Sequence, residues 1–199
     1  MPSNSHARGA RARSLRIIAG AWRGRRWRFP DTDMRPTPDR VRETLFNWLQ
    51  DRVAGSRCLD LFAGSGALGL EALSRGAADV LFVESDRQAA RSLQELLAAW
   101  QAPQGHVREA DALRLLASGP SQAMSLVFLD PPFAAGLLGP VATALTSNGW
   151  LADGALIYVE HSADEDWKPP TRWQLLKSGV AGAVGYHVYQ FRSAGEQAP

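Results

Sequence analysis

Residues 130–133, Asp-Pro-Pro-Phe, combine a carboxylate, a rigid turn and an aromatic ring directly after an apolar run. An exocyclic amine on a nucleic-acid base is a poor nucleophile, because its lone pair is delocalised into the ring. Asp130 and the carbonyl of Pro131 would accept both N–H groups of such an amine, while Pro132 keeps the turn rigid. Phe133 would stack on the base. The tetrapeptide therefore predicts a site that orients an amine for attack.

A glycine-rich run, residues 60–66 (Asp-Leu-Phe-Ala-Gly-Ser-Gly), provides the candidate cofactor site. With Gly69 it forms a G-x-G-x-x-G pattern, which also occurs in dinucleotide sites and in tight turns that bind nothing. The carboxylate of Asp60 favours a different ligand, because it would repel a pyrophosphate and attract an ammonium group. S-adenosylmethionine carries an ammonium group and no phosphate. The predicted cofactor-binding residues are Asp60, Phe62, Gly64, Ser65, Gly66, Glu84 and Asp111.

Glu84 and Asp111 each have two possible roles. Glu84 follows Gly64 by 20 residues, at the end of the next predicted strand, where it would accept hydrogen bonds from vicinal ribose hydroxyls. Alternatively, its negative charge, together with that of Asp86, would stabilise the N-terminus of the following helix. Asp111 would accept the exocyclic amine of adenine or serve only as a helix N-cap.

The charge of the chain is divided unevenly. Residues 1–42 contain eleven arginines and three aspartates, whereas the remainder contains eleven basic and seventeen acidic residues. The formal net charge of +2 thus hides a basic N-terminal part and an acidic remainder. Clustered arginines suit phosphate contacts. The predicted RNA-binding residues are Arg16, Arg23, Arg25, Arg26, Arg28, Arg35 and Arg40. Arg35 and Arg40 would alternatively bind the carboxylate of the cofactor, or only solvent at the start of the helix.

The pattern of apolar residues predicts an α/β fold behind a small N-terminal extension. Strands at 15–19 and 26–29 would form a basic hairpin, in which Trp22 and Trp27 either contact RNA or pack inward. Thr37 is predicted to cap a helix whose apolar face continues to Arg52. From residue 57 onward strands and helices alternate, and residues 173–178 and 186–192 would close the sheet as an antiparallel pair. Such alternation favours a mostly parallel sheet with helices on both faces.

The composition sets further bounds. The 199 residues are 45% hydrophobic and 21% charged, which is typical of one globular domain. The single cysteine, Cys58, predicts a packing role and a reducing, cytoplasmic setting. The sequence offers no Cys/His spacing for a metal and no run of about 20 apolar residues for a membrane span. His161, at the end of a strand, is predicted to be a surface or hydrogen-bonded residue rather than a catalytic one.

Together these motifs resemble the Rossmann-like, class I S-adenosylmethionine-dependent methyltransferases that act on exocyclic amines. The runs 16–25 (RIIAGAWRGR) and 35–47 (RPTPDRVRETLFN) are more narrowly similar to the bacterial RsmD family. Pro38 stands where that family often has Thr or Ser. The resemblance covers about residues 15–192.

The resemblance implies a seven-stranded sheet and methylation of the N2 amine of guanine 966 in 16S ribosomal RNA, within the small ribosomal subunit or its assembly intermediate. It also implies a monomer. The domains expected are a disordered basic tail (1–13), an RNA-binding hairpin and helix (14–53), the methyltransferase domain (54–193) and a disordered tail (194–199).

Three other functions are compatible with some of the motifs. A DNA adenine-N6 methyltransferase uses a similar acidic or amide residue with Pro-Pro-aromatic, but the chain has no sizeable target-recognition insertion. A nicotinamide-dependent oxidoreductase is disfavoured by Asp60. A non-catalytic ribosome-assembly factor that binds RNA is disfavoured by the intact acids at 60, 84 and 130.

Overall fold

The computed structural model describes residues 13–29 and 37–193. Its strands are β1 (Arg13–Arg16), β2 (Arg26–Phe29), β3 (Arg57–Asp60), β4 (Asp79–Glu84), β5 (Gly105–Glu109), β6 (Met124–Leu129), β7 (Leu151–Ser162), β8 (Trp173–Ala181) and β9 (Val184–Phe191). Its α-helices are α1 (Asp39–Trp48), α2 (Gln50–Val53), α3 (Ala67–Ser74), α4 (Arg87–Ala99), α5 (Ala112–Ala117) and α6 (Leu138–Ser147), and a short 3-10 helix spans Phe133–Ala135. None of the helices among these residues is long and apolar enough to cross a membrane.

The main sheet has seven strands in the order β5-β4-β3-β6-β7-β9-β8. Strands β5, β4, β3, β6 and β7 are parallel, and β9 is antiparallel to both β7 and β8. The prediction of a mostly parallel, seven-stranded sheet with a closing antiparallel pair is therefore confirmed. All five parallel strands end at the same edge of the sheet, which is where ligands bind in folds of this kind.

Helices cover both faces of the sheet, as predicted. One buried cluster joins the strands to α1, α3 and α4 through residues such as Leu45, Leu70 and Leu93. The other joins them to α5 and α6 through residues such as Leu116 and Val141. The N-terminal hairpin adds Ile17, Trp27 and Phe29 to the first cluster. The hairpin is thus packed into the domain through its apolar residues.

The hairpin begins earlier than predicted. The expected strand at 15–19 is wrong, because β1 ends at Arg16 and the following residues form the turn. Backbone bonds from Ile17 N to Arg25 O and from Gly24 N to Ile17 O close that turn. Arg13, expected in the tail, pairs with Phe29 in the hairpin. The rest of the two predicted tails, and Arg35, lie outside the described residues.

The helix that follows also differs from its prediction. The apolar face was expected to continue to Arg52, but α1 ends at Trp48 and a separate short helix, α2, follows Leu49. Thr37 is not the N-cap, because Pro38 occupies that position and no side chain caps the helix. The hydroxyl of Thr37 instead donates a hydrogen bond to Glu160.

Candidate active site

The candidate site lies where β3, β4, β6 and β7 end. Asp60 ends β3, Glu84 ends β4, Asp130 directly follows β6, and Glu160 lies near the end of β7. Asp60 contacts α3 through Gly69, and Thr37 contacts both Asp130 and Glu160. The carboxyl groups at 60, 130 and 160 therefore lie on the side of the sheet that α1 and α3 cover.

The glycine-rich loop connects β3 to α3, and two of its glycines have a steric role. Gly66 adopts a positive φ of 76°, a conformation that suits glycine. A Cβ atom on Gly69 would lie 2.1 Å from the ring of Phe82 in β4, so only glycine allows α3 to pack this closely on the sheet. Trp27 of the hairpin donates from Nε1 to the carbonyl of Ser65, 2.9 Å away. The hairpin thus directly contacts the loop.

Asp60 and Glu84 give this loop an acidic environment. Asp60 is buried and accepts a hydrogen bond of 2.9 Å from the backbone N–H of Gly69. Burial raises the pKa of Asp60 to about 7, and the charge of Glu84 also raises it while the Gly69 bond lowers it. Glu84 is buried as well and accepts bonds from the backbone N–H groups of Gly64 (2.8 Å) and Asp86 (2.7 Å).

The charges around the loop suit a cationic ligand. Within residues 13–29 and 37–193, no Lys, Arg or His forms an ion pair with Asp60 or Glu84. A pyrophosphate would therefore meet two carboxyl groups and no compensating cation, whereas an ammonium or sulfonium group would supply the missing positive charge. The residues present fit S-adenosylmethionine better than a dinucleotide.

The two remaining cofactor candidates occupy different environments. Phe62 is partly buried at the loop and packs against the cluster on the α5 and α6 side. Asp111 is exposed and caps α5, where its side chain accepts a bond of 2.9 Å from the backbone N–H of Arg114. The N-cap alternative for Asp111 is therefore confirmed, and a contact with adenine stays a prediction. Asp86 likewise caps α4.

The Asp-Pro-Pro-Phe segment forms the turn between β6 and the 3-10 helix. Pro131 is buried, while Phe133 is 39% exposed although it is a large apolar residue. Burial raises the pKa of Asp130 well above its ordinary value, and the negative charges of Glu160 and Asp60 raise it further. The segment thus places a partly exposed aromatic ring beside a carboxyl group with an unusual affinity for protons.

Sequence reasoning missed two residues near this carboxyl group, Thr37, which contacts it, and Glu160, whose charge acts on it. Thr37 is buried, and its hydroxyl lies 2.7 Å from Oε1 of Glu160 and 3.4 Å from Oδ2 of Asp130. Glu160 also accepts a bond of 2.8 Å from the hydroxyl of Tyr158. The signal for Glu160 was its place at the end of a strand neighbouring β6. Thr37 stands before Pro38 and Asp39 in the pattern of a helix N-cap, so the sequence did not indicate its contact with the two acids.

The predicted RNA-binding arginines in the hairpin are all exposed, and three of them lie on one face of its two strands. In the hairpin register Arg16 pairs with Arg26, and Ser14 pairs with Arg28, so these side chains lie on one face. The opposite face carries Trp27, which is buried. We call the exposed set the arginine face; it consists of Arg16, Arg23, Arg25, Arg26 and Arg28. Arg40 is also exposed, at the start of α1.

Two arginines and both tryptophans of the hairpin have contacts within the protein. Arg16 forms an ion pair of 2.8 Å with Asp39, although its side chain remains 56% exposed. Arg25 lies over the ring of Trp100, 5.5 Å from its centroid. Trp22 and Trp27 both make edge contacts with Trp100. The inward-packing alternative is therefore confirmed for Trp27, while Trp22 is partly exposed.

A buried ion pair joins this N-terminal part to α3. The side chains of Arg42 and Glu71 are completely buried, with Nη1 of Arg42 3.7 Å from Oε2 of Glu71. Glu71 also accepts bonds from the backbone N–H groups of Ile18 (2.8 Å) and Ala19 (3.0 Å). Glu71 therefore connects the hairpin and α1 to the helix that follows the glycine-rich loop.

Comparisons with known proteins place the chain in one family. A family model described as "Conserved hypothetical protein 95" matches residues 15–190. The chain is 48% identical over 184 residues to "Ribosomal RNA small subunit methyltransferase D" of Escherichia coli strain K12, with 92% of each chain covered. A solved structure, a putative methyltransferase from Escherichia coli, superposes with a TM-score of 0.85 at 48% identity and covers 90% of this chain and 98% of its own.

A more distant structure belongs to a protein with a stated reaction. The Thermus thermophilus 16S rRNA N2 G1207 methyltransferase RsmC, solved in complex with AdoMet and guanosine, is 25% identical with a TM-score of 0.68. The match covers 92% of this chain and 50% of that protein. The sheet order and these likenesses identify the fold as that of the class I methyltransferases. By its family model and its 48% identity over nearly the whole length, the chain belongs to the RsmD family, the ribosomal RNA small subunit methyltransferases D.

Proposed function

We propose that this protein transfers a methyl group from S-adenosylmethionine to the N2 amine of guanine 966 in 16S ribosomal RNA. The observation that carries the proposal is the placement of Asp130 and Phe133 at the same sheet edge as an acidic glycine-rich loop. The 48% identical relative is named as a methyltransferase of small-subunit ribosomal RNA, which supports that RNA as the substrate. The RsmC protein is an N2 methyltransferase of 16S ribosomal RNA, which supports guanine N2 as the acceptor.

The residues of the loop would hold the cofactor by its charge and its hydroxyl groups. Asp60 would face the ammonium group, and Glu84 would accept hydrogen bonds from the ribose. The absence of side chains on Gly64 and Gly66 allows a close approach of the backbone. When bound, S-adenosylmethionine supplies an electrophilic methyl group on a sulfonium, and the electron pair of the broken C–S bond remains on sulfur.

The Asp-Pro-Pro-Phe segment would hold the amine. Asp130 and the carbonyl of Pro131 would each accept one N–H of the amine, which directs the nitrogen lone pair away from the ring plane. The exposed ring of Phe133 would stack on the base. Such a base must first leave its helical stack, so the target guanine lies in a loop or is flipped out.

The arginine face would bind RNA phosphates and thereby position the substrate. Its arginines lie on the hairpin whose Trp27 contacts the loop at Ser65, so an RNA bound there would pass close to the cofactor site. Arg40, exposed in the first turn of α1, would add to this basic surface, while any contact made by Arg35 lies outside the described residues. The substrate proposed is the small ribosomal subunit or its assembly intermediate, and the protein would act as a monomer in the cytoplasm.

Methyl transfer to isolated small-subunit particles tests the proposal. Particles from cells lacking the protein, incubated with the purified protein and S-adenosylmethionine carrying a labelled methyl group, should gain one N2-methylguanine at position 966. Raised thermal stability with S-adenosylmethionine but not with NAD would support the cofactor assignment independently. Label in adenine, or in DNA and not in the particles, would refute the proposed substrate.

A further inference from the structure

A hydrogen-bonded chain links the candidate Asp130 to a second buried acid. Thr37 Oγ1 lies between the two carboxyl groups, 3.4 Å from Oδ2 of Asp130 and 2.7 Å from Oε1 of Glu160. Tyr158 donates to the same Oε1 atom at 2.8 Å. A threonine hydroxyl has one proton to donate and two lone pairs to accept with. When it donates to Glu160, it remains able to accept a hydrogen bond from a protonated Asp130.

Strand pairing fixes the two acids next to each other. Leu129, the last residue of β6, pairs with Val159 of β7 in parallel register, and the residues that follow them are Asp130 and Glu160. Glu160 is 4% exposed, whereas Asp130 is partly exposed. Two neighbouring carboxylates, one of them buried, bind a first proton more tightly than an isolated carboxylate does, because that proton relieves their repulsion.

The pKa directions agree with this geometry. Burial raises the pKa of Asp130 most strongly, and the charge of Glu160 follows. Burial also raises the pKa of Glu160, while the bonds from Thr37 and Tyr158 oppose that increase. Glu160 is thus the member of the pair whose carboxylate form receives two hydrogen bonds.

The proposed reaction requires a destination for one proton. When the bond between N2 and the methyl group forms, the nitrogen becomes cationic and must lose one of its two protons. Asp130 is placed to accept that proton, because the same N–H would already be bonded to its carboxylate. A protonated Asp130 would then have to release it before the next turnover.

We propose that Glu160 stores this proton and that Thr37 is the positioning residue that passes it on. The step starts with Asp130 and Glu160 both as carboxylates. The proton of N2 moves to Asp130, the protonated Asp130 passes it to Oγ1 of Thr37, and the hydroxyl proton of Thr37 moves to Oε1 of Glu160, which becomes a neutral carboxylic acid. Charge is conserved at each transfer, and the proton returns to water through the partly exposed Asp130 after the product leaves. This inference rests on the proposed function, since it assigns residues within the same site.

Several other groups influence the titration of this pair. Asp60, on β3, contributes negative charge to the environment of Asp130. Tyr158 lies on the same strand as Glu160, and burial together with the charge of Glu160 raises the pKa of its phenol. Tyr186 pairs with Glu160 across β7 and β9. Thr37, before α1, contributes a hydroxyl without charge.

Replacement of Glu160 by Gln tests the storage role. The amide oxygen of Gln still accepts the bonds from Thr37 and Tyr158, but the side chain takes up no proton at neutral pH. We expect kcat to fall by roughly 10- to 100-fold with little change in KM, and the acidic limb of the pH–rate profile to move to lower pH. Unchanged kcat and an unchanged pH profile in Glu160→Gln would overturn the proposal.

Thr37 provides matched variants for the connecting step. Thr37→Ser keeps the hydroxyl and should retain most of kcat, whereas Thr37→Val keeps the shape without the hydroxyl and should lose about as much as Glu160→Gln. Glu95→Gln changes an exposed glutamate of α4 and serves as the control for the loss of a carboxyl group. Equal rates in Thr37→Ser and Thr37→Val would contradict a role for the hydroxyl.

A titration without substrate separates this inference from the proposed function. Carbon-13 NMR of the Asp130 carboxyl group should show a titration midpoint that falls by about one pH unit or more in Glu160→Gln, because the neighbouring charge is gone. The same midpoint in both proteins would overturn the coupling even if guanine 966 is methylated. A shifted midpoint in a protein that methylates no ribosomal RNA would instead refute the proposed function.

Discussion

The charged groups at the sheet edge and those of the arginine face have opposite surroundings. Asp60 and Glu160 are buried, Asp130 is partly exposed, and within the described ranges none of the three forms an ion pair. The five arginines of the arginine face are exposed, and among them only Arg16 has a described acidic partner, Asp39. The acids are therefore placed to change their affinity for protons, whereas the arginines are placed to bind phosphates.

This difference separates residues that determine rate from residues that determine affinity. A change at the acidic edge should alter catalysis or its pH dependence while RNA binding remains. A change on the arginine face should weaken RNA binding and leave the chemistry of the bound complex intact. Glu71 and Arg42 lie between the two regions and hold them together, so a change there should affect stability first.

Asp130→Ala should give the largest effect. The variant lacks the carboxylate that would orient the amine and accept its proton, so we expect kcat to fall by about 1,000-fold or more. Binding of S-adenosylmethionine, measured by calorimetry, should remain within a few fold because Asp60 and Glu84 are unchanged. Substantial turnover of small-subunit particles by Asp130→Ala would show that the acidic edge does not determine the rate.

Asp60→Asn should reveal the pH dependence of the acidic edge. With a folded-state pKa of about 7 against an ordinary value of 3.8, the folded protein binds the proton more tightly than the unfolded chain does. Protonated Asp60 therefore stabilises the folded protein fully at low pH. This stabilisation, on the order of 4 kcal/mol, is lost as the pH rises through about 7. The asparagine variant should therefore gain stability relative to the wild type between pH 5 and pH 8.

Denaturant unfolding at several pH values measures this difference. Asp164→Asn, at an exposed position, is the control and should follow the wild type throughout. Identical pH dependence in Asp60→Asn and the wild type would show that Asp60 does not titrate as its burial requires.

Glu71→Ala should destabilise the link between the regions. Among the described residues, the substitution leaves the buried guanidinium of Arg42 with only Asp39 and a backbone carbonyl as partners. It also removes the acceptor of two backbone N–H groups of the hairpin. We expect the free energy of unfolding to fall by about 3 kcal/mol. Glu95→Ala, which removes an exposed ion pair on α4, should cost less than about 1 kcal/mol. Similar losses in the two variants would contradict the role of Glu71.

Arg26→Ala and Arg28→Ala should give the smallest effects. Each should reduce RNA affinity a few fold and lower the slope of log K against log salt by roughly 0.7 to 0.9 if one phosphate contact is lost. Arg114→Ala, on the exposed surface of α5, is the matched control. An unchanged slope in both hairpin variants would exclude the arginine face as the RNA-binding surface. Point variants are preferable to removal of residues 1–28, since Ile17 and Trp27 belong to the core.

The sequence was sufficient where short-range patterns determine the structure. The apolar runs and their Gly, Asp and Pro boundaries predicted the strands at 80–83 and 126–129, whereas the strand expected at 58–62 ends at Asp60. Asp86, which the sequence also offers as an N-cap, does cap α4. Thr37 followed by Pro38 has the local pattern of a helix start. The helix does begin there, but the side chain of Thr37 bonds Glu160 and does not cap the helix. Its partner Glu160 lies 123 residues away, so only the folded sheet shows that contact.

Contacts between residues distant in sequence also decide which residues of the hairpin are buried. Trp27 among arginines was equally compatible with an RNA contact and with the core, because the alternation of the strand does not tell which face packs against the domain. The bond to Ser65 and the contact with Trp100 decide this, and both are distant in sequence. The ion pair of Arg42 and Glu71 was not predicted either, since buried charges carry no distinctive local pattern.

The most direct test of the proposed function is the mapping of N2-methylguanine in 16S ribosomal RNA from cells that lack this protein. We predict that methylation is lost at position 966 alone, returns with the wild-type protein and does not return with Asp130→Ala. Full methylation of guanine 966 in cells without the protein, or its restoration by Asp130→Ala, would contradict the proposed function.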